Sequence, residues 1–242
     1  MISDSTSVTI TQAINCGLKK ITTPSNIILY SATVLCILVL IWDFSWRDLL
    51  AIPLGLLVSY LYSMYATPKW KIWAYSSVTD IHQFQRSAEL AGLLLKGSHE
   101  STSGVMNSRQ MEILKNLQKK FLEEPVFADD PSIPGETAIP EKSFFGVQSG
   151  PMIVLNGSGL QLRSTGYFDW GQIEDEHIAK ISQYRSYGKA DTNNIGYKVF
   201  FVFNSPAEHF EIPLSSLKIT AWQLDLLLYV YRGRYMQNQI AA

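Results

Sequence analysis

The sequence predicts a membrane α-helical hairpin joined to an α+β domain, in which an antiparallel β-sheet or barrel is capped by a C-terminal helix. Three observations carry this prediction. Two apolar runs, Asn26–Trp42 and Leu49–Thr67, lie close together and contain no charged residue. Residues 152–213 break into short alternating segments separated by turn residues. Residues 220–235 carry a broad apolar stripe at helical spacing.

A helix needs about 20 mostly apolar residues to cross a hydrocarbon core of about 30 Å, and both runs approach that length. The break Asp43-Phe44-Ser45-Trp46-Arg47-Asp48 supplies the loop. Lys19 and Lys20 precede the first run and Lys69 and Lys71 follow the second, against Arg47 alone in the loop. Positive charge marks the cytoplasmic side, so the expectation is a two-pass inner-membrane protein with both termini in the cytoplasm. Trp42, Phe44 and Trp46 at the loop, and Tyr60, Tyr62, Tyr65, Trp70, Trp73 and Tyr75 at the other end, fit aromatic belts at the two interfaces. Pro53 and Gly55 fall early in the second helix, where neighbours can resatisfy a disturbed backbone. Ser31, Ala32, Ser59 and Ser63 offer small surfaces for close helix approach. The absence of any ionisable residue in either span argues against a proton relay or ion pathway within the hairpin unless copies assemble; a homo-oligomer stays open.

The chain divides into an N-terminal tail (1–20), the two-helix hairpin (21–75), membrane-proximal helices with a Pro-rich acidic linker (76–142) and a C-terminal domain (143–242). The first 17 residues are Ser/Thr-rich and read as a mobile or interfacial tail. A cleavable signal peptide fits poorly, because the basic pair comes late and no small-residue cleavage site follows the apolar run.

Ile81, Phe84, Ala88, Ala91 and Leu95 recur at spacings of three and four, predicting a helix capped by Thr79 or Asp80 and ended by Gly97. The polar stretch Ser98–Gly104 follows as a linker. Met111, Leu114, Leu117 and Phe121 predict a second helix over Ser108–Glu123. Mixed charge on the polar faces favours a helical pair packed on the C-terminal domain over a membrane-surface or partner-binding arm. Glu123–Lys142 holds Pro125, Pro131, Pro134 and Pro140 among acidic residues, which reads as a linker and the domain boundary.

In the C-terminal domain, Met152–Leu155 and Leu160–Arg163 flank Asn156-Gly157-Ser158-Gly159, a hairpin signal in which Asn-Gly accepts positive φ. A phosphate-cradling glycine loop would need a helix next, and a strand follows instead. Gly166–Trp170, Glu176–Tyr187 (with a bulge), Ile195–Phe203 and an edge strand over Ala207–Pro213 follow. Ile195, Tyr197, Val199, Phe201 and Phe203 share one face. Thr220–Tyr235 is the closing helix.

Composition excludes several functions. A net charge of −1 gives no footing for nucleic-acid binding. Cys16 and Cys36 offer no disulfide framework. His82, His99, His177 and His209 have no metal-ligand spacing, so no metal or cofactor site is assigned. Glu174-Asp175-Glu176-His177 could pair acid and base groups, but strand neighbours point to opposite faces. Ser215-Ser216-Leu217-Lys218 has Ser-x-x-Lys spacing without a supporting second motif. No catalytic residue is assigned, and the expectation is a non-enzyme. Arg163, Lys180, Arg185, Lys189 and Lys198 could read a phospholipid headgroup, though solvated surface accounts for them more simply.

The step Tyr167-Phe168-Asp169-Trp170-Gly171-Gln172-Ile173, and Phe210-Glu211-Ile212-Pro213-Leu214 before the Leu-rich helix, resemble bacterial pleckstrin-homology-like (PH-like) domains over roughly Ser143–Tyr235. The resemblance implies a PH-like fold on a transmembrane hairpin. The whole chain resembles immunity proteins paired with pore-forming type VI secretion effectors. That implies a membrane-acting toxin as partner beside the lipid bilayer; the alternative is a membrane-tethered PH-like adaptor or lipid-binding module.

Overall fold

A computed structural model describes residues 8–42, 51–95, 105–142, 150–187, 191–206 and 208–241, with side chains except at 36, 39–42, 51, 52, 182–187 and 191–196. The architecture is α+β, with two antiparallel sheets and a C-terminal helix. The chain forms two compact units, Met1–Val126 and Phe127–Ala242.

The first unit is helical. Helix α1 (Ile10–Gly17) opens with a capping box in which Thr9 and Gln12 exchange side-chain-to-backbone bonds of 3.3 Å. It buries Ile10, Ala13, Ile14 and Gly17, so this part of the expected tail is a packed element. A π-helical turn, Leu18–Thr22, leads into α2 (Thr23–Trp42). Helix α3 (Ala51–Ser77) runs antiparallel to α2, and α4 (Ile81–Leu90) and α5 (Ser108–Gln118) follow. A 3-10 turn, Lys119–Leu122, completes α5 much as its periodicity predicts. Asp80 caps α4, its Oδ1 accepting from Gln83 N at 3.0 Å. Helix α4 stops at Leu90, well before the expected Gly97, which lies outside the described residues, as does the predicted linker Ser98–Gly104. Gly92 takes φ +73°, and the amides of Leu93 and Leu94 return to Ala88 O at 2.9 and 3.3 Å, a glycine-dependent helix stop. Helix α4 packs on α1, and α5 packs on α3.

The α2–α3 pair is held by small groups. Ser25 and Ser63 share a hydroxyl hydrogen bond of 2.7 Å, and Ser59 Oγ donates to Ser25 O at 3.1 Å. A Cβ at Gly55 would stand 2.3 Å from Ala32 Cβ, so only glycine permits this approach. Of the four small residues expected at the contact, Ala32, Ser59 and Ser63 are there and Ser31 is exposed. Among the described residues no helix is long and apolar enough to cross a membrane. The described side chains of α2 end at Leu38, short of its last apolar turn. The predicted loop Asp43–Asp48 lies outside the described residues.

Two expected interfacial aromatics are core residues instead. Trp70 is 4% exposed and donates from Nε1 to Ala13 O at 3.0 Å. Tyr75 is fully buried against Phe84 and Phe121. Both rings sit beyond the apolar run and pack inward against α1 and α4. Pro68 lies inside α3 and cannot donate to Met64 O. The amide of Val105 takes that carbonyl at 3.1 Å, which anchors the start of the α5 segment to α3.

The second unit begins earlier than the sequence suggests. Strand β1 (Glu136–Pro140) falls in the stretch read as linker. It is the edge of a four-stranded sheet ordered β1-β2-β3-β4, with β2 Pro151–Asn156, β3 Gly159–Leu162 and β4 Gly166–Asp169. An edge position tolerates the terminal Pro140. The β2–β3 turn differs in mechanism from the expected one, because neither Asn156 nor Gly157 has positive φ. Asn156 Oδ1 instead accepts from Ser158 N, Ser158 Oγ and Gly159 N at 2.9–3.0 Å, an Asx turn. The glycine that matters is Gly159, where a Cβ would stand 2.2 Å from Phe168 O.

The second sheet is ordered β5-β6-β7, with β5 Glu174–Tyr187, β6 Asp191–Asn204 and edge strand β7 His209–Pro213. Strand β5 carries irregularities at Glu174/His177 and Gln183/Tyr184, as its imperfect alternation suggests, and Asp175 at the first has φ 53°. Phe201 and Phe203 are fully buried while Tyr197, on the same face, is 67% exposed. Strand β7 pairs with β6 only over Phe200–Asn204.

Helix α6 (Ala221–Ala241) packs on β2 and β5. Trp170 and Ile173 bracket a 3-10 turn capped by Asp169, and both are buried. Arg232 Nη1 donates to Trp170 O at 2.6 Å and to Ile173 O at 3.1 Å, and Arg232 Nε meets Glu176 at 3.4 Å. Arg234 clamps the Pro-rich segment, donating to Asp129, to Asp130 O, to Ile133 O and to Pro134 O at 2.8–3.1 Å. The stretch 127–135 is thus an ordered strap on α6.

Candidate functional site

Two features of the first unit stand out: a bare apolar surface and a groove ending at a buried lysine. On α2, Ile27, Tyr30, Val34, Leu35, Ile37 and Leu38 are each 52–67% exposed. On α3, Leu54, Leu56, Leu57, Val58, Tyr60, Leu61 and Tyr65 are 45–61% exposed. Contiguous apolar area of this kind marks a membrane or partner surface. At its base Lys19, Lys20 and Lys69 are exposed. Lys69 Nζ lies 3.6 Å from the Tyr65 ring centroid and Lys20 Nζ lies 5.8 Å from that of Trp73.

The groove has a volume of about 240 Å³. One wall is a single face of α3, carrying Tyr60, Met64, Thr67 and Lys71; the other includes Leu94 and Leu114. Lys71 is only 5% exposed. Burial pulls its amine down to about 8, against the opposing pull of Glu89. Gln85 links the surrounding groups, accepting from the Tyr75 hydroxyl and donating to Glu89 at 2.5 Å. Burial, with Glu89 second, raises the Tyr75 hydroxyl. The lining is mostly apolar, and its charge is Lys71, on which Glu89 acts from nearby. The sequence shows Lys71 as a flanking charge; Leu93, Leu94, Met106 and Leu114, far along the chain, line the same groove.

The sequence-derived candidates in the second unit do not converge. Glu176 is engaged with Arg232, and His177 Nδ1 lies 2.6 Å from Asp175 O. Ser216 Oγ donates to Pro213 O at 2.7 Å, shaping a turn. Arg163 pairs with Glu141 at 3.3 Å. Lys180 lies opposite Val199 and Lys198 opposite Ile181, so the two lysines point from opposite faces of the ribbon. The Arg185 side chain and Lys189 lie outside the described residues. Among the described residues no His/Cys/Asp/Glu group could hold a metal ion. No protein family, curated protein or solved structure matches this chain.

Proposed function

We propose that this chain is a non-enzymatic, two-pass protein of the bacterial inner membrane that acts by binding, as an immunity protein that neutralises a pore-forming toxin. In this reading the α2–α3 hairpin sits in the bilayer and a PH-like second unit lies in the cytoplasm with both termini. One observation carries the reading: the large apolar side chains that α2 and α3 leave bare, on spans without a charge. Burying a Leu-sized side chain is worth about 1.5–3 kcal/mol, so moving this surface from water into lipid gains on the order of 10 kcal/mol. At about 1.5 Å per residue a hydrocarbon core takes about 20 residues of helix, and α2 has 20, although among the described residues no helix is both long and apolar enough to cross. The PH-like part of this reading rests on the resemblance of the Trp170–Ile173 and Phe210–Leu214 steps, set in two antiparallel sheets with a closing helix. The hairpin would meet the toxin's inserted helices through close packing.

The deciding experiment is toxin challenge. Cells expressing this chain should survive a membrane-acting toxin encoded beside it, and cells without it should lose membrane potential. Equal survival with and without the chain against every neighbouring toxin ends the immunity reading. The adaptor or lipid-sensing reading has weaker support, because Arg163, Lys180 and Lys198 face apart. Selective binding of Phe127–Ala242 to anionic vesicles would restore it.

A further inference from the structure

We propose that the base of the hairpin binds an anionic phospholipid, with Lys20 and Lys69 on its phosphate and an acyl chain along the bare face of α3. This rests on the hairpin lying in the bilayer. With about 3.6 residues per turn, Tyr62, Tyr65, Lys69 and Trp73 share one face of α3. Lys20 reaches that same face from another element. The Tyr62 hydroxyl donates to Lys20 O at 2.8 Å, and Lys20 Nζ lies 5.8 Å from the Trp73 ring centroid. Lys69 Nζ sits 3.6 Å from the Tyr65 ring centroid. The π-helical turn Leu18–Thr22 thus brings its lysine to the face that carries Lys69, and aromatic rings steady both ammoniums. Both lysines are exposed, and among the described residues neither takes part in an ion pair.

The apolar half of the site continues the same stripe. Leu54, Val58, Leu61 and Tyr65 lie in line with Lys69 along α3 and are 45–61% exposed. The rise from Leu54 to Tyr65 is about 16 Å at about 1.5 Å per residue, close to the roughly 15 Å of one leaflet. An acyl chain on this stripe ends where the two ammoniums begin, which is the order of groups in a phospholipid. The Tyr65 and Trp73 rings then fall at headgroup level, where such rings are favoured. Two cations without a counter-charge select a headgroup of net negative charge. A zwitterionic headgroup would bring its own ammonium against Lys20 and Lys69.

The test uses the full chain in nonionic detergent with phosphatidylglycerol and phosphatidylcholine of identical acyl chains, and native mass spectrometry reads the bound lipid. Phosphatidylglycerol should be retained about tenfold better. K20Q/K69Q should bring the two lipids level. K115Q/K119Q removes the same charge from exposed positions elsewhere in the first unit and should leave the preference intact. Glycerol phosphate, which has no chains, should not displace the lipid. Equal retention of both lipids by the unaltered chain, an unchanged preference in K20Q/K69Q, an equal loss in K115Q/K119Q, or displacement by glycerol phosphate overturns the proposal. Flotation with vesicles of either lipid after an alkaline wash reads hairpin insertion separately. An inserted chain without a lipid preference removes only the headgroup site. A chain that inserts into neither removes the membrane reading and the site with it.

Discussion

Gly55 sets the spacing of the hairpin. Its missing Cβ lets α2 and α3 approach until Ala32 fills the gap. Gly55→Ala should cost about 1–3 kcal/mol by overpacking, read as a fall in the melting temperature of the first unit. Ala32→Gly in the same chain should recover most of it. Lys71 gives the unit a pH dependence. Its folded pKa of about 8 lies below its ordinary 10.5, so the unfolded chain binds the extra proton between those values. Stability therefore rises as pH climbs from about 8 to about 10.5, and the full penalty is present below about 8. Lys71→Met should raise the melting temperature at pH 7 and flatten its slope at alkaline pH.

At the scale of elements, the bare faces of α2 and α3 make the strongest prediction. Leu35 and Leu57 are exposed, so Leu35→Arg and Leu57→Arg leave the helix contact intact. In a bilayer each arginine near a helix centre costs about 2.5–3.5 kcal/mol. The double variant should lose membrane insertion in an alkaline-wash assay; full retention would contradict a lipid-facing hairpin. In the second unit, Arg234 ties the strap at 129–134 to α6 through charge-assisted bonds. Arg234→Ala should destabilise that unit by about 1–3 kcal/mol, since it removes the charge-assisted bonds and takes this donor from Ile133 O, while Asp130 O keeps Ile133 N and Pro134 O keeps the Tyr231 hydroxyl, visible in chemical denaturation.

For the whole molecule, the boundary is testable. Phe127–Ala242 contains the strap, β1 and the complete four-stranded sheet, and should fold alone with one cooperative transition. A fragment beginning at Ser143 lacks β1, and bares the edge of β2 and the underside of α6. It should aggregate or melt far lower. If both fragments are equally stable, the strap and β1 are ornaments to this unit.

Local pattern alone determined the apolar runs, the helices from α4 onward, most strands after Pro151 and the closing helix, because periodicity and turn chemistry act over a few residues. The Trp170–Ile173 step is marked by the resemblance to PH-like domains, not by local pattern. Tertiary structure decided the remainder. The segment at 127–140 reads as a linker because prolines are weighed locally, yet an edge strand and four bonds from Arg234 give it order. Helix α1 reads as a tail because its buried face is only four residues, and its partner Trp70 lies far along the chain. Trp70 and Tyr75 look interfacial by composition, whereas burial depends on what packs above them. Lys71 is the sharpest case. In sequence it is one flanking charge among several, and only the tertiary packing that brings Leu93, Leu94 and Leu114 beside α3 takes it out of water and places it in a groove.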